Sequence, residues 1–231
     1  MGSSRLPGKV LLEVNGKSML EIMITRLKMV PNISQIVIAT TSNRRDDPIV
    51  EEARKLGVDC YRGSENNVQE RVLEAAKHFE ADEVVALTGD CPLIDPQIVE
   101  HCILTFEVNN VDYLSNAVVR SYPDGMDTQV LRTAALNKSL EMVPSNEELE
   151  HVTLHIRRNT HVFRSLYLIS PKETRFPKIA LTLDEERDYQ LINSIIEYFD
   201  GRMDFTCGEI IEFLSSNPEI ARINSSVNRK Y

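Results

Sequence analysis

Three short stretches carry residue types that could handle a phosphorylated substrate. The first is Gly2-Ser3-Ser4-Arg5-Leu6-Pro7-Gly8-Lys9. Small residues let backbone N–H groups approach phosphate oxygens, and Arg5 and Lys9 supply fixed positive charge. A plainer reading competes, because Met-Gly-Ser-Ser is also how many expression tags begin. On composition alone the plainer reading is the stronger, since short Gly-rich loops are weak motifs. The second stretch is Thr88-Gly89-Asp90-Cys91-Pro92. An aspartate after an apolar run, behind a glycine that permits a tight turn, could hold Mg²⁺ near phosphates. An exposed turn aspartate is an equal alternative. The third is Asp184, in Leu181-Thr182-Leu183-Asp184-Glu185-Glu186. Taken alone it reads as a helix N-cap, and a metal role requires a carboxylate oxygen to spare.

Other groups invite chemistry and carry less of it. His151 and His155 have a zinc-like spacing on an expected helix, but no His-Glu-x-x-His is present and no third ligand stands out. Cys91 has no identifiable activating histidine. Asp46-Asp47 reads as the cap of the helix that follows. The chain has 231 residues, 42% of them apolar and 26% charged, with a net charge of −9. That charge argues against nucleic-acid and membrane-surface binding, which need a basic face. Four scattered cysteines without a C-x-x-C pair, and no signal peptide, point to a reduced cytoplasmic protein.

The elements that must position these residues alternate strand and helix over the first 110 positions. Ser18-Met19-Leu20-Glu21 has capping-box spacing ahead of an apolar stripe at Leu20, Met23, Leu27 and Val30. The β-branched run at 35–40 reads as a buried parallel strand. A helix is expected at 48–56, a strand at 58–61, a helix at 67–79 and a strand at 83–88. Asp95-Pro96 then opens another helix. This rhythm implies an α/β, doubly wound, mostly parallel sheet, with ligands beyond the carboxyl ends of its strands. Residues 112–169 read as a smaller α+β insertion, with strands near 112–114, 126–131 and 162–169 and helices at 133–142 and 147–158. A strand at 179–183, helices at 185–199 and 208–214, and an extended tail after Asn217 complete a single domain over 1–231.

Taken in order, these segments resemble the cytidylyltransferase family of the spore coat polysaccharide type, related to 3-deoxy-manno-octulosonate and acylneuraminate cytidylyltransferases. The likeness runs through residues 1–9, Gly16 to Leu20, Ala39-Thr40-Thr41, Tyr61-Arg62-Gly63-Ser64 and Thr88 to Pro96. It continues through Ser115-Asn116, Tyr122 to Asp127, Glu150-His151-Val152-Thr153, Leu181 to Asp184 and the Asn217 to Asn224 tail. It implies a Rossmann-like nucleotide-diphospho-sugar transferase fold and transfer of CMP from CTP to a sugar with loss of pyrophosphate. By the same resemblance Arg5 and Lys9 hold the triphosphate, in a nucleotide site with Gly2, Ser3, Arg71, Thr88 and Gly89. Asp90 and Asp184 would coordinate Mg²⁺. Asp124, Asp127, Glu150 and His151 would face a small sugar, a keto-sugar acid. Residues 112–169 would cover that sugar and pair two copies into a homodimer.

The family's first strand, ending in Gln-Ala-Arg before the Gly-rich loop, has no counterpart, because the sequence begins with the loop. The expectation is a natural chain longer by about ten residues of strand character, and a sheet with either an open slot or a borrowed strand. A glycosyltransferase is the rival enzyme, although Asp90 is followed by Cys-Pro rather than completing an Asp-x-Asp. Transfer from UTP or GTP is excluded only by the resemblance. A non-catalytic nucleotide-sugar-binding homologue is the alternative from another class.

Overall fold

A computed structural model describes residues 1–229. After the 3-10 turn Lys9–Leu11, strands β1 (Glu13–Val14) and β2 (Lys17–Ser18) form a hairpin. Its two-residue turn is Asn15-Gly16, both at positive φ (52° and 73°), the chemistry a tight hairpin requires. Helix α1 (Met19–Leu27) follows directly, its Ser18 cap accepting from the Glu21 amide at 3.0 Å. Next come β3 (Val37–Thr41), α2 (Asp47–Leu56), β4 (Asp59–Gly63), α3 (Val68–His78), β5 (Glu83–Ala86) and α4 (Pro96–Val108). Asp95 caps α4 through Gln97 N and takes the Cys207 amide at 2.6 Å with its other oxygen.

Residues 112–169 supply β6 (Tyr113–Ser115), β7 (Gln129–Arg132) and β8 (Ser165–Tyr167), together with α5 (Thr133–Glu141), α6 (Asn146–Glu150) and α7 (Leu154–Arg158). The single helix expected at 147–158 is broken. His151 leaves helical geometry at φ −105° and ψ 91°, so His151 and His155 lie on no common helical face. His151 is exposed, whereas His155 is buried and bonded through Nδ1 to Ser139 Oγ at 2.8 Å. The chain ends in α8 (Glu186–Tyr198), α9 (Cys207–Ser216) and α10 (Pro218–Ala221). The last is a helical turn where an extended tail was expected, with Pro218 preset for its first position.

The strands do not join into one sheet. β3 and β4 form a parallel pair, and β5-β7-β6-β8 form a second, mixed sheet with no ladder to the first among the described residues. Helices cover the interval on both sides. Leu20 and Ile24 of α1 cluster with Ile38 of β3, while Met19, Ile22 and Met23 enter the main core that takes in Val85 of β5. On the other side α3 packs on β3 and β4, and its Leu73 clusters with Val84 and Ala86 of β5. No substitute strand pairs with β3 or β5 across this interval among the described residues. The run at 179–183 also forms no ladder. It is extended, bridged once between Ala180 and Asp124 and bonded from Leu183 N to Asp90 O at 2.8 Å.

The largest fully buried side chain is Arg26 of α1. It donates to Ile94 O (2.9 Å), Met203 O (2.7 Å) and Phe205 O (2.8 Å), with a longer bond to Leu93 O (3.4 Å). Its guanidinium lies 4.0 Å from the centre of the Phe205 ring. Burial pulls its pKa down to about 10 against the pull of Asp95 and Asp204, so it stays charged at neutral pH. One side chain thus ties the loop behind Asp90 to the strand-like segment before α9. Arg26→Met should leave several buried carbonyls without donors, at about 1–3 kcal/mol each. A loss of roughly 3 kcal/mol would lower the melting temperature by about 6–12 °C, which a thermal melt followed by circular dichroism would read.

Candidate active site

The Gly-rich loop folds back on itself before Lys9. Ser3 Oγ accepts from Leu6 N at 3.2 Å, and Gly8 takes the left-handed conformation at φ 70° that turns the chain into the Lys9–Leu11 turn. Gly2 lies against Arg45, where an added Cβ would stand 2.8 Å from the guanidinium. The loop then delivers two cations to Asp90, beyond β5, and to Asp184, after the extended run at 179–183. Lys9 Nζ donates to Asp90 Oδ2 at 2.9 Å and to Asp184 Oδ1 at 3.0 Å. Arg5 reaches Asp184 Oδ1 at 3.0 Å and Glu185 Oε1 at 3.6 Å. Positions 81 and 175 apart from Lys9 therefore meet on one ammonium.

Asp90 comes off β5 through a tight turn closed by Cys91 N to Thr88 O at 3.2 Å. Asp184 is not the N-cap of α8. Glu185 takes that role in a capping box with Asp188, and the fully buried Asp188 accepts from both Asp184 N (3.0 Å) and Glu185 N (2.9 Å). The Asp184 carboxylate is left for Arg5 and Lys9, with Arg229 at 3.7 Å from its second oxygen. Asp188 is itself held by Arg229 at 2.6 Å and Asn224 at 2.8 Å.

The electrostatics follow the contacts. Burial works against the charge on Lys9, but Asp90 and Asp184 outweigh it and hold the ammonium above its usual range. Burial likewise opposes charge on Asp90, and Lys9 with a hydrogen bond from Thr88 holds that carboxyl below the usual aspartate range. Burial and the neighbouring Asp90 push the Cys91 thiol well up, which removes it as a nucleophile at neutral pH. Asp127 is raised by burial and by Asp124, against the pull of Arg120.

The other expected site residues are spread around this centre. Arg120 bridges Asp124 (3.4 Å) and Asp127 (3.1 Å), and both carboxylates act on the Cys91 thiol beside Asp90. Gly125 between them has φ 100°, and a Cβ there would lie 2.8 Å from the Leu181 carbonyl carbon, so only glycine fits the approach of the two segments. Arg71 is held at the end of β4, donating to Ser64 O at 2.5 Å with its Nε unpaired. Its hydrogen bond goes to Ser64, and the charges acting on it are those of Asp46 and Glu65. Glu150 and His151 are exposed at the end of α6, and neither side chain hydrogen-bonds to the carboxylates of Asp124 or Asp127. Asp188, Asn224, Arg229 and Arg120 were not anticipated. Asp188 had a sequence signal in its three-residue spacing from Glu185, and Asn224 lay in the tail that carries the resemblance.

Among the described residues no three His, Cys, Asp or Glu side chains gather as a self-sufficient metal cage. Two hard oxygens, from Asp90 and Asp184, nonetheless reach a single positive charge, with the Lys9 ammonium as a stand-in ion. That donor set fits Mg²⁺, which is usually held by one or two carboxylates and completed by phosphate oxygens and water.

A Gly-rich cationic loop over two carboxylates, one beyond β5 and one after the extended run at 179–183, on an α/β frame, defines a nucleotidyltransferase with a Rossmann-like fold. A sequence model of the cytidylyltransferase family matches residues 1–207. The chain belongs to that family and is a cytidylyltransferase. It is 30% identical to the spore coat polysaccharide biosynthesis protein SpsF of Bacillus subtilis, over 96% of this chain and 93% of SpsF. It superposes on the structure of a cytidylyltransferase from Leptospira borgpetersenii serovar Hardjo-bovis with a TM-score of 0.91 and 34% identity, covering 100% of this chain and 95% of the other. It also shares its fold with a CMP:2-keto-3-deoxy-manno-octonic acid synthetase complexed with CTP, at a TM-score of 0.64 and 19% identity, over 86% and 95% of the two chains.

The ion-pair cluster has a defined pH window. Asp90, shifted down, contributes stability above its ordinary 3.8 that is lost as pH falls through its lower folded value. Lys9, shifted up, contributes below its ordinary 10.5, and that share is lost as pH rises through its higher folded value. The melting-temperature difference between wild type and Lys9→Met should be flat from about pH 5 to pH 9 and shrink below about pH 4. Melts across that range check it.

Proposed function

We propose that the protein transfers CMP from CTP to a keto-sugar acid, releasing pyrophosphate, for surface polysaccharide synthesis. The convergence of Arg5, Lys9, Asp90 and Asp184 carries this reading. The sugar hydroxyl attacks the α-phosphorus in line. Arg5 and Lys9 hold the β and γ phosphates, and the backbone of Gly2 and Ser3 approaches them. Asp90 and Asp184 hold Mg²⁺, which when bound offsets charge on the α-phosphate and the departing pyrophosphate. Thr88 supports Asp90 by its hydrogen bond, and Gly89 gives the turn that presents it. Arg71 serves the nucleotide side. Asp124 and Asp127, beside the Asp90 loop, bind sugar hydroxyls, with Glu150 and His151 reaching the sugar from the exposed end of α6. Asp127, held above the usual carboxylate range, is suited to take the attacking hydroxyl's proton.

Two further parts belong to this reading. The reaction is cytoplasmic, supported by four unpaired cysteines. Among the described residues no helix is long and apolar enough to cross a membrane. The protein works as a homodimer through residues 112–169, supported by the exposed apolar side chains Val119, Met142, Val143 and Ile169 in that stretch.

Pyrophosphate release with CTP and a panel of keto-sugar acids tests the activity, with UTP and GTP as controls. Release with UTP or GTP and none with CTP would sink the nucleotide assignment. Asp90→Asn and Asp184→Asn should each cut turnover by about 10²–10³ with the fold intact by circular dichroism. Light scattering at micromolar concentration should report a dimer, and a monomer alone would remove the pairing.

A further inference from the structure

With two of its three donors on Asp90 and Asp184, Lys9 has at most one left for a phosphate oxygen while it keeps its present partners. Its hydrogen bonds to Asp90 Oδ2 and Asp184 Oδ1 go to the carboxylates proposed above to hold the metal. A divalent ion on the same oxygens would sit about 2.0–2.1 Å from each, inside the space the ammonium occupies at 2.9 and 3.0 Å. A divalent ion bridging these two oxygens from the side on which Lys9 stands would displace the ammonium. Lysine differs here from Arg5, whose planar fork also engages Glu185 at the rim. A lysine is a point charge on a flexible four-carbon stem, able to swing away and keep its charge.

We propose that Lys9 is a place-holder for the metal: in the nucleotide-free protein its ammonium fills the position between Asp90 and Asp184, and nucleotide phosphates draw it off, so that metal and nucleotide bind as a coupled pair. This rests on the assignment of Asp90 and Asp184 as metal ligands. The carboxylates repel each other without a cation between them, so the empty site needs Lys9. Once a triphosphate arrives, Lys9 gains phosphate oxygens as partners and the metal gains both protein oxygens and phosphate oxygens. By linkage the coupling is reciprocal: whatever removes Lys9 from the carboxylates raises metal affinity, and whatever binds metal there frees Lys9 for phosphate.

The consequence runs against the usual expectation for an active-site lysine. Lys9→Met and Lys9→Gln should bind Mn²⁺ in the absence of nucleotide about tenfold more tightly than wild type, read by electron paramagnetic resonance of free Mn²⁺. Lys9→Arg, which keeps the charge, should stay near wild type. Asp184→Asn added to Lys9→Met should abolish the gain. Without metal, equilibrium dialysis should find weaker CTP binding in Lys9→Met than in wild type. A measurement on the unmutated chain stands independently of whether the variants fold. Reductive methylation at Lys9, followed by mass spectrometry, should rise as Mn²⁺ alone saturates the protein.

Mn²⁺ affinity in Lys9→Met and Lys9→Gln no higher than in wild type would overturn the exchange, as would Lys9 methylation indifferent to Mn²⁺. Millimolar Mn²⁺ failing to bind any form would overturn it too, by removing the metal site. Failure of the transferase reading is separate and shows as absent pyrophosphate release in wild type, whatever Mn²⁺ does.

Discussion

Two carboxylates from distant parts of the chain, Asp90 and Asp184, are brought to a common point, and their mutual repulsion has to be met there. Lys9 meets it with one ammonium bonded to both, and Arg5 and Arg229 add positive charge around Asp184. At these distances, partly shielded from water, such attractions are several times stronger than in bulk solvent. The arrangement ties the N-terminal loop to the end of β5 and to the start of α8. It also leaves the site with two carboxylates and three cations in contact, Arg5, Lys9 and Arg229.

The frame around that point is built to keep strand ends in place where the sheet itself is interrupted. Helices α1 and α3 lie across the interval between β3 and β5, so apolar packing joins the two sheets where hydrogen bonds do not. Arg26, from within α1, fixes the backbone of 93–94 and 203–205 by hydrogen bonds to carbonyls that a hydrophobic residue could not make. Asp188 does the same on a smaller scale for the Asp184 turn, holding two amides while Asn224 and Arg229 hold it. Buried charges in this protein are spent on orienting backbone near the site, consistent with the rule that a buried ion must be fully bonded.

Two of the site's carboxyl groups, Asp90 and Asp127, are set differently by their surroundings. Asp90 is kept ionised by Lys9, whereas Asp127 is raised by burial and by Asp124. A carboxylate held ionised suits a cation, and one held toward its protonated form suits proton transfer. Under the proposed CMP transfer, that division would put charge neutralisation at Asp90 and leave Asp127 for the proton of the attacking hydroxyl.

Local pattern in the sequence determined most of the elements and the identity of the central residues. Apolar runs and caps placed α1 to α5, β3 to β5 and α8 to α9 within a few positions, because those signals depend on neighbours along the chain. The order of motifs from Arg5 to Asp184 pointed to the family before any geometry was known. Other features only the tertiary structure decided. The helix at 147–158 breaks at His151, and residues 179–183 stay extended without a ladder. Lone residues such as Arg26, Arg120 and Arg229 carry no local signature, since their partners are backbone or carboxylate groups distant in sequence. Whether Asp184 capped a helix or faced a cation also lay beyond the sequence. Both roles fit its position in the chain, and the choice was made by Asp188 taking the amides and Lys9 arriving from 175 positions away.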